Sequence, residues 1–171
     1  MRITTIDNRA EIESAFAAFP SGVAALTADV DGVPTGFVST TFTVGISFDP
    51  PQVLCSVMKT SRTWPALRRA ERIGVSVLAQ GHEVACMQLA SRSRDRFAGL
   101  DLVRGDGGAL LISDAVMWLE CSLDAEYDSG DHTVVILAVE RMHVAENGDP
   151  LVYHGRNFRN LARSAAVESV A

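Results

Sequence analysis

The sequence predicts a mainly β protein with short helices, arranged as an antiparallel barrel. Short apolar segments alternate with turn sequences such as Asp31-Gly32 and residues 128–131, which is typical of strands joined by hairpins. The segments also lack the regular intervening helices that parallel strands need as crossovers. The pattern indicates about eight strands and two or three short helices. We expect a single domain over residues 1–171.

A short helix opens the chain. Asn8 or Asp7 can accept hydrogen bonds from the first turn of this helix, and Pro20 is expected to stop it. Its apolar residues recur at helical spacing. They are Ile12, Phe16 and Phe19.

Strands dominate the next forty residues. They are predicted over residues 23–28, 33–39, 44–48 and 52–58. Asp31-Gly32 joins the first two strands as a hairpin turn. Asp49-Pro50-Pro51 separates the last two, and we expect the prolines to prevent ladder pairing at that point.

Two short helices interrupt the later strands. Thr63 is expected to cap the first of them, with Pro65 in its first turn, and the second covers residues 83–90. A polar loop over 91–96 and a flexible bend over 105–108 follow the second helix. The remaining strands are predicted over 73–79, 116–127, 132–145 and 151–154.

Composition excludes several classes of protein. An apolar fraction of 47% is too high for a disordered chain. The net charge of −6 argues against a nucleic-acid partner, which would favour a basic surface. The first seven residues lack the apolar run of a signal peptide. The longest uncharged stretch, residues 33–48, is shorter than a membrane-spanning helix. We therefore expect a cytoplasmic protein without a membrane partner.

The cysteines and histidines do not indicate a metal site. Cys55, Cys86 and Cys121 lie far apart with no C-x-x-C pair, so we expect three buried thiols rather than a disulfide framework or a zinc site. The four histidines show no metal-ligand spacing either. Dinucleotide, P-loop, nucleophile-elbow and zinc-protease motifs are absent from the sequence.

Four segments have compositions that loops and strand ends rarely show together. They are residues 37–43 with their continuation to 47–51, residues 55–64, residues 89–99, and residues 130–136, which begin with Gly-Asp-His. In this order and spacing they resemble the flavin reductase-like family, the small NAD(P)H:flavin oxidoreductases that serve two-component monooxygenases. The resemblance covers about residues 19–161. It implies an FMN-binding split β-barrel, a Greek-key antiparallel barrel that forms a homodimer and binds FMN or FAD near the subunit interface.

Hydroxyl groups in two of these segments match the polar parts of a flavin nucleotide. Ser39, Thr40 and Thr41 can meet the hydrogen-bonding edge of the flavin ring, although threonine is also common on solvent-facing strands. The phosphate needs hydroxyls, amides and a cation, and a helix start is a further source of donors. The candidates are Ser56, Lys59, Ser61, Arg62 and Thr63. The alternative is ordinary helix capping beside a solvated basic loop.

The arginine-rich loop is a second candidate for phosphate contacts. Arg92, Arg94 and Arg96 can cover the phosphate from the other side, or the loop can simply be solvated. Many family members have Gly and Lys where this chain has Ser93 and Arg96, so which arginine makes the contact is open. The resemblance also implies cofactor contacts at Cys55, Ala90, Ser91 and Phe97.

His132 is the candidate catalytic residue. The resemblance places the Gly-Asp-His histidine near the flavin, where it helps to position the nicotinamide, since hydride transfer needs stacked rings rather than a strong base. The alternative is a histidine bonded to Asp131 at the start of a strand. Phe158 stands where many relatives have Tyr, so it keeps a stacking face without the hydroxyl and can equally be a packing residue. Trp64 and Trp118 are expected to be core or interface anchors.

The leading functional prediction is an NAD(P)H-dependent flavin reductase that uses NADH or NADPH to reduce FMN or FAD. Its expected partner is an oxygenase component that consumes the reduced flavin. The alternatives are a flavin-binding electron carrier or redox sensor without NAD(P)H turnover, and an interaction module without a cofactor. Charge placement favours a small phosphorylated ligand, because residues 59–72 and 92–96 hold eight of the 15 basic side chains and only two acids.

Overall fold

Antiparallel strands build most of the structure, as predicted. The computed structural model describes residue 5 and residues 8–161. Within them the strands are β1 (Ser21–Gly22), β2 (Ala24–Val30), β3 (Val33–Ser39), β4 (Thr43–Phe48), β5 (Pro51–Met58), β6 (Ile73–Val77), β7 (Leu102–Arg104), β8 (Leu110–Ile112), β9 (Met117–Ser129), β10 (His132–Val144), β11 (Val152–His154) and β12 (Asn157–Arg159). The helices are α1 (Arg9–Phe16), α2 (Trp64–Leu67) and α3 (Glu83–Leu89). The predicted class, mainly β with short helices, is confirmed.

The strands form one large sheet and two small ones. The large sheet has seven antiparallel strands in the order β3-β2-β6-β9-β10-β5-β4. Its two edge strands, β3 and β4, are consecutive in the chain and are joined by residues 40–42 alone. The small sheets have the orders β1-β11-β12 and β7-β8.

Strand β2 is buried on both faces and separates two apolar clusters. Ala24 and Leu26 pack in a core formed mainly by β5, β6, β9 and β10. Val23 and Ala25 point the other way, into a cluster that includes Leu89 of α3. Burial on both sides explains why residues 23–28 form a nearly continuous apolar run instead of an alternating one.

The structure corrects four details of the predicted elements. Strands β1, β7, β8 and β12 were not predicted, because two or three residues are too few to show a periodicity. Strand β6 ends at Val77, before the predicted end at residue 79. The flexible bend over 105–108 is the connection of the β7–β8 hairpin. Pro51 lies opposite Phe48 at the start of β5, so the expectation of no pairing there is wrong. A proline at the first position of a strand is compatible with pairing.

Helix α1 lies on the surface of the described chain. Its predicted cap is confirmed at Asn8, whose Oδ1 accepts a hydrogen bond from the Glu11 amide at 2.9 Å; the alternative cap, Asp7, lies outside the described residues. No residue of α1 is buried. The exposed fractions of Phe16 and Phe19 are 70% and 74%. Of the three residues with apolar spacing, Ile12 is half-buried, whereas the rest of the described chain leaves Phe16 and Phe19 largely uncovered.

The three cysteines are free and buried, as predicted. Burial raises the pKa of the Cys55 and Cys121 thiols to about 12 and that of Cys86 to about 11. These thiols are therefore neutral and poorly nucleophilic at neutral pH. No helix in the described part of the chain is both long enough and apolar enough to cross a membrane.

Candidate functional site

A cavity of about 480 Å³ opens between β3, β5 and the segment before α2, which comprises residues 60–63. The end of α3 and the first residue of β10 also line the cavity. It brings together many of the predicted site residues. These are Ser39, Ser56, Ser61, Arg62, Thr63, Ala90, Arg92, Arg96 and His132. The rest of the lining lies in the same segments but was not predicted to contact a ligand, and it is mostly apolar: Phe37, Val38, Val57, Met58, Thr60 and Leu89.

The pairing of β10 with β5 carries the Gly-Asp-His motif to the cavity. His132 lies opposite Met58, and Val134 lies opposite Ser56. The ladder is extended by a hydrogen bond from the Lys59 amide to the Asp131 carbonyl oxygen at 3.0 Å. Two segments more than seventy residues apart in the sequence therefore meet at one strand end, with His132 at the cavity wall.

Asp131 orients the imidazole of His132. The distance from His132 Nδ1 to Asp131 Oδ1 is 2.6 Å, and Arg9 of α1 lies 3.4 Å from the other carboxylate oxygen. The hydrogen bond with His132 lowers the pKa of Asp131, and the charges of His132 and Arg9 add to that effect. Since Asp131 engages Nδ1, Nε2 is the ring nitrogen left for a ligand in the cavity. The two readings of His132, positioning group and partner of Asp131, are therefore compatible.

The hydroxyl of Thr41, in the connection between β3 and β4, binds the backbone of β5. It accepts a hydrogen bond from the Ser56 amide at 3.0 Å and donates to the Ser56 carbonyl oxygen at 3.2 Å. It also lies 2.9 Å from Ser39 Oγ. Thr41 therefore supports the cavity without lining it, and Thr40 does not line it either. Ser39 is the member of the predicted Ser-Thr-Thr group that reaches the cavity.

The segment before α2 forms the polar end of the cavity. Thr63 occupies the N-cap position, but its side chain makes no capping hydrogen bond, so the predicted cap is wrong. Ser61 Oγ instead accepts from the Trp64 amide at 3.2 Å. Helix α2 has only four residues, too few for a strong macrodipole. The side chains, not the helix dipole, are what this segment offers to an anion.

Charge at this polar end is concentrated on arginines without carboxylate partners. Lys59 pairs with Asp128, Arg68 with Glu126 and Arg69 with Asp31. By contrast, within residues 8–161 no ion pair engages Arg62 or Arg92, which line the cavity. Lys59, which was predicted to contact the phosphate together with Arg62, pairs with Asp128 and does not line the cavity. The local charge therefore favours an anionic ligand.

The remaining predicted contacts lie elsewhere. The Cys55 side chain is fully buried in the main core, so it cannot touch a ligand in the cavity. Ser91 Oγ accepts hydrogen bonds from the amides of Ser93 and Arg94 and so shapes the arginine-rich loop. Phe97 and Phe158 pack against the second apolar cluster. The ring of Phe158 meets Tyr153 edge-on at 5.5 Å.

Trp64 is a core anchor, as predicted, whereas Trp118 is half-buried and belongs to neither apolar cluster. Trp64 is buried in the main core, and its indole nitrogen donates to Glu126 Oε1 at 2.8 Å. Its ring supports Phe37 of the cavity wall edge-on at 6.4 Å. Trp118 donates to the Ile112 carbonyl oxygen at 2.7 Å and stacks on His143.

Comparison with known proteins identifies the family. The model of the flavin reductase like domain matches residues 16–162. The actinorhodin polyketide dimerase of Streptomyces coelicolor is 37% identical over 155 residues, 90% of this chain and 87% of that protein. The flavin-dependent monooxygenase reductase subunit HsaB of Rhodococcus jostii is 34% identical over 143 residues, 84% of this chain and 73% of that one.

A solved structure extends the similarity to the fold. The NADH:FAD oxidoreductase SgcE6 of Streptomyces globisporus, in complex with NAD and FAD fragments, superposes with a TM-score of 0.89 at 32% identity. The alignment covers 96% of this chain and all of that one. The sequence match and the similar fold both point to one family, and the residues gathered around the cavity are consistent with it. The chain belongs to the flavin reductase-like domain family.

Proposed function

We propose that the chain is an NAD(P)H:flavin oxidoreductase that reduces FMN or FAD in this cavity and supplies reduced flavin to a partner monooxygenase. One observation carries the proposal: a single cavity joins His132 to a hydroxyl group, Ser61, and to two arginines, Arg62 and Arg92, without carboxylate partners in residues 8–161. Relatives named as reductase subunits or NADH:FAD oxidoreductases support it.

The residues that line the cavity suit both the ring and the phosphate of a flavin nucleotide. The walls include Val57, Met58 and Leu89, which offer apolar contacts to a planar ring. Ser39 and Ser56 add polar groups beside them. The end that holds Ser61, Arg62, Thr63 and Arg92 offers hydroxyls and cations to a phosphate.

In the proposed reaction, the residues of the cavity act mainly by positioning the flavin and the nicotinamide. A flavin held here would supply the hydride acceptor for the nicotinamide. Asp131 holds the His132 ring through Nδ1, so that Nε2 can hold the nicotinamide or donate a proton at the cavity wall. The apolar walls exclude water from the stacked rings. Arg62 and Arg92 balance the charge of the phosphate.

We further propose that the large sheet belongs to an FMN-binding split β-barrel. Strands β3 and β4 are its opposite edges, yet only residues 40–42 join them. That connection spans at most about 14 Å, whereas seven flat strands would separate the edges by about 29 Å. The sheet must therefore curl, and Thr41 holds the junction to β5. Both apolar clusters share β2, which supports a single domain over residues 1–171.

A homodimer is the second part of this proposal. Strand β4 is an edge strand whose apolar residues are exposed, with Phe48 at 86% and Val44 at 53%. Apolar edge strands are templates for pairing with another chain. We therefore place the subunit contact on β4.

Replacing Phe48 with Asp is expected to convert the dimer into a monomer, because it puts a charge into the apolar contact. Light scattering coupled to size-exclusion chromatography measures the change in mass. Val33→Asp is the matched control, since Val33 is also exposed, at 61%, on the other edge strand. A wild-type monomer, or equal dissociation by both variants, would contradict this contact.

Oxidation of NADH and NADPH in the presence of FMN or FAD tests the catalytic proposal. We expect flavin-dependent loss of the near-ultraviolet nicotinamide band, with one nicotinamide and one flavin preferred. A protein that binds flavin but oxidises neither nicotinamide would support the electron carrier or sensor instead. A protein that binds no flavin would point to the interaction module.

A further inference from the structure

Arg96 is held by three elements of the cavity at once. Its Nε donates to the Ser91 carbonyl oxygen at 2.7 Å. Its Nη1 donates to the Gly36 carbonyl oxygen at 2.9 Å and to Thr63 Oγ1 at 2.8 Å. Gly36 lies in β3, an edge strand whose outward carbonyl groups need partners outside the sheet. Arg96 therefore ties the arginine-rich loop, the edge of the sheet and the segment before α2 together.

The contact with Thr63 fixes the direction of one hydroxyl group. A guanidinium can only donate, so Thr63 Oγ1 is the acceptor in this hydrogen bond. Thr63 also makes no side-chain cap to α2. Arg96 cannot accept its proton, and no hydrogen bond within residues 8–161 uses that proton. Because Thr63 lines the cavity, a ligand there can accept that proton.

The charge of Arg96 strengthens this donor. A hydroxyl that accepts from a cation is polarised and donates a stronger hydrogen bond. Ser61, Arg62 and Arg92 line the same end of the cavity, so the acceptor that fits is an anion with several oxygen atoms. A phosphate has this chemistry.

We propose that Arg96 is a positioning residue that holds Thr63 so that its hydroxyl donates to the phosphate of a flavin nucleotide. This role rests on the proposed function of the cavity as a flavin site. It differs from the direct phosphate contact that the sequence suggested for Arg96, because Nε and Nη1, which carry three of its five N–H donors, already bind protein acceptors. A lysine nitrogen could not span the same three acceptors as well.

A double-mutant cycle separates the positioning role from a direct contact. The variants are Thr63→Val, Arg96→Met and the double variant, and the ligands are FMN and riboflavin, which lacks the phosphate. We expect each single variant to weaken FMN binding about tenfold and the double variant to be no weaker than either. Riboflavin binding should change little in all three. Quenching of flavin fluorescence measures both dissociation constants.

Two control variants test whether the loss of FMN affinity comes from the Thr63 hydroxyl and its contact with Arg96. Arg69→Met removes a cation next to α2 that pairs with Asp31 outside the cavity, and it should leave FMN binding unchanged. Thr63→Ser keeps the hydroxyl and should restore FMN affinity. If Arg96→Met does not fold, Arg96→Lys takes its place in the cycle, with the same expectation of no further loss on the Thr63→Val background.

The proposal is overturned if the single losses multiply, which would indicate a direct phosphate contact by Arg96. It is also overturned if riboflavin and FMN weaken equally, which would indicate a purely structural role, or if Thr63→Val has no effect. Failure of the proposed function looks different. In that case the wild-type protein binds FMN more tightly than riboflavin, yet oxidises neither NADH nor NADPH.

Discussion

Replacing His132 with Ala should slow the reduction of bound flavin by NADH about 100-fold, because small losses of alignment between reacting rings are costly. Flavin binding should change little. His132 lines the strand end of the cavity, whereas the polar groups that suit a phosphate lie on the segment before α2. Stopped-flow absorbance gives the rate of reduction, and fluorescence quenching gives the dissociation constant of FMN.

His143→Ala is the matched control for this variant. His143 lies on the same strand, β10, where it stacks on Trp118 instead of lining the cavity, so its loss should leave the rate of reduction unchanged. Asp131→Ala should give an intermediate rate, because the imidazole keeps its place but loses the partner of Nδ1. Equal losses of rate and affinity in His132→Ala would rule out a nicotinamide-positioning role.

Replacing Gly74 with Ala should lower the free energy of unfolding by about 3 kcal/mol. Gly74 is buried in β6, opposite Thr27 of β2 and Glu120 of β9. A Cβ atom there would overlap the carbonyl group of Leu110. That carbonyl is held in place by the Thr27 hydroxyl at 2.5 Å. Because the overlap is with backbone, no side-chain rotation can relieve it.

Urea denaturation measures this change, and Gly22→Ala is its control. A Cβ atom at Gly22 meets no other atom within 4 Å, so the control should alter stability by less than about 0.5 kcal/mol. Equal unfolding midpoints for the two variants would contradict the packing of β6 against β8.

Local sequence patterns predicted most of the long elements. The Asp31-Gly32 turn and the two long strands β9 and β10 lie close to their predicted positions. Hairpins are formed by residues that are neighbours in the sequence, so local patterns predict them well. Strands of two or three residues such as β7 and β8 carry no such signal. The exposure of Phe16 was also unexpected, since helical spacing indicates a face but not what covers it.

The site was predicted less completely than the fold. The family assignment is confirmed, and the polar segments that carried it do meet at one cavity. The apolar wall formed by Val57 and Leu89 was missed, since such residues look like any other core positions in a sequence. The partners of Lys59 and Arg96 could not be predicted either, because Asp128 and Thr63 come close only after folding. Cytoplasmic location remains a prediction.

The most direct test of the proposed chemistry is a single turnover without oxygen. Protein loaded with FMN, and separately with FAD, is mixed anaerobically with NADH or NADPH while the visible absorbance of the flavin is followed. We expect the absorbance to disappear with at least one pair of flavin and nicotinamide, in step with loss of the nicotinamide band. We also expect His132→Ala to slow both changes together. Bound flavin that stays oxidised with both nicotinamides would contradict the proposed chemistry.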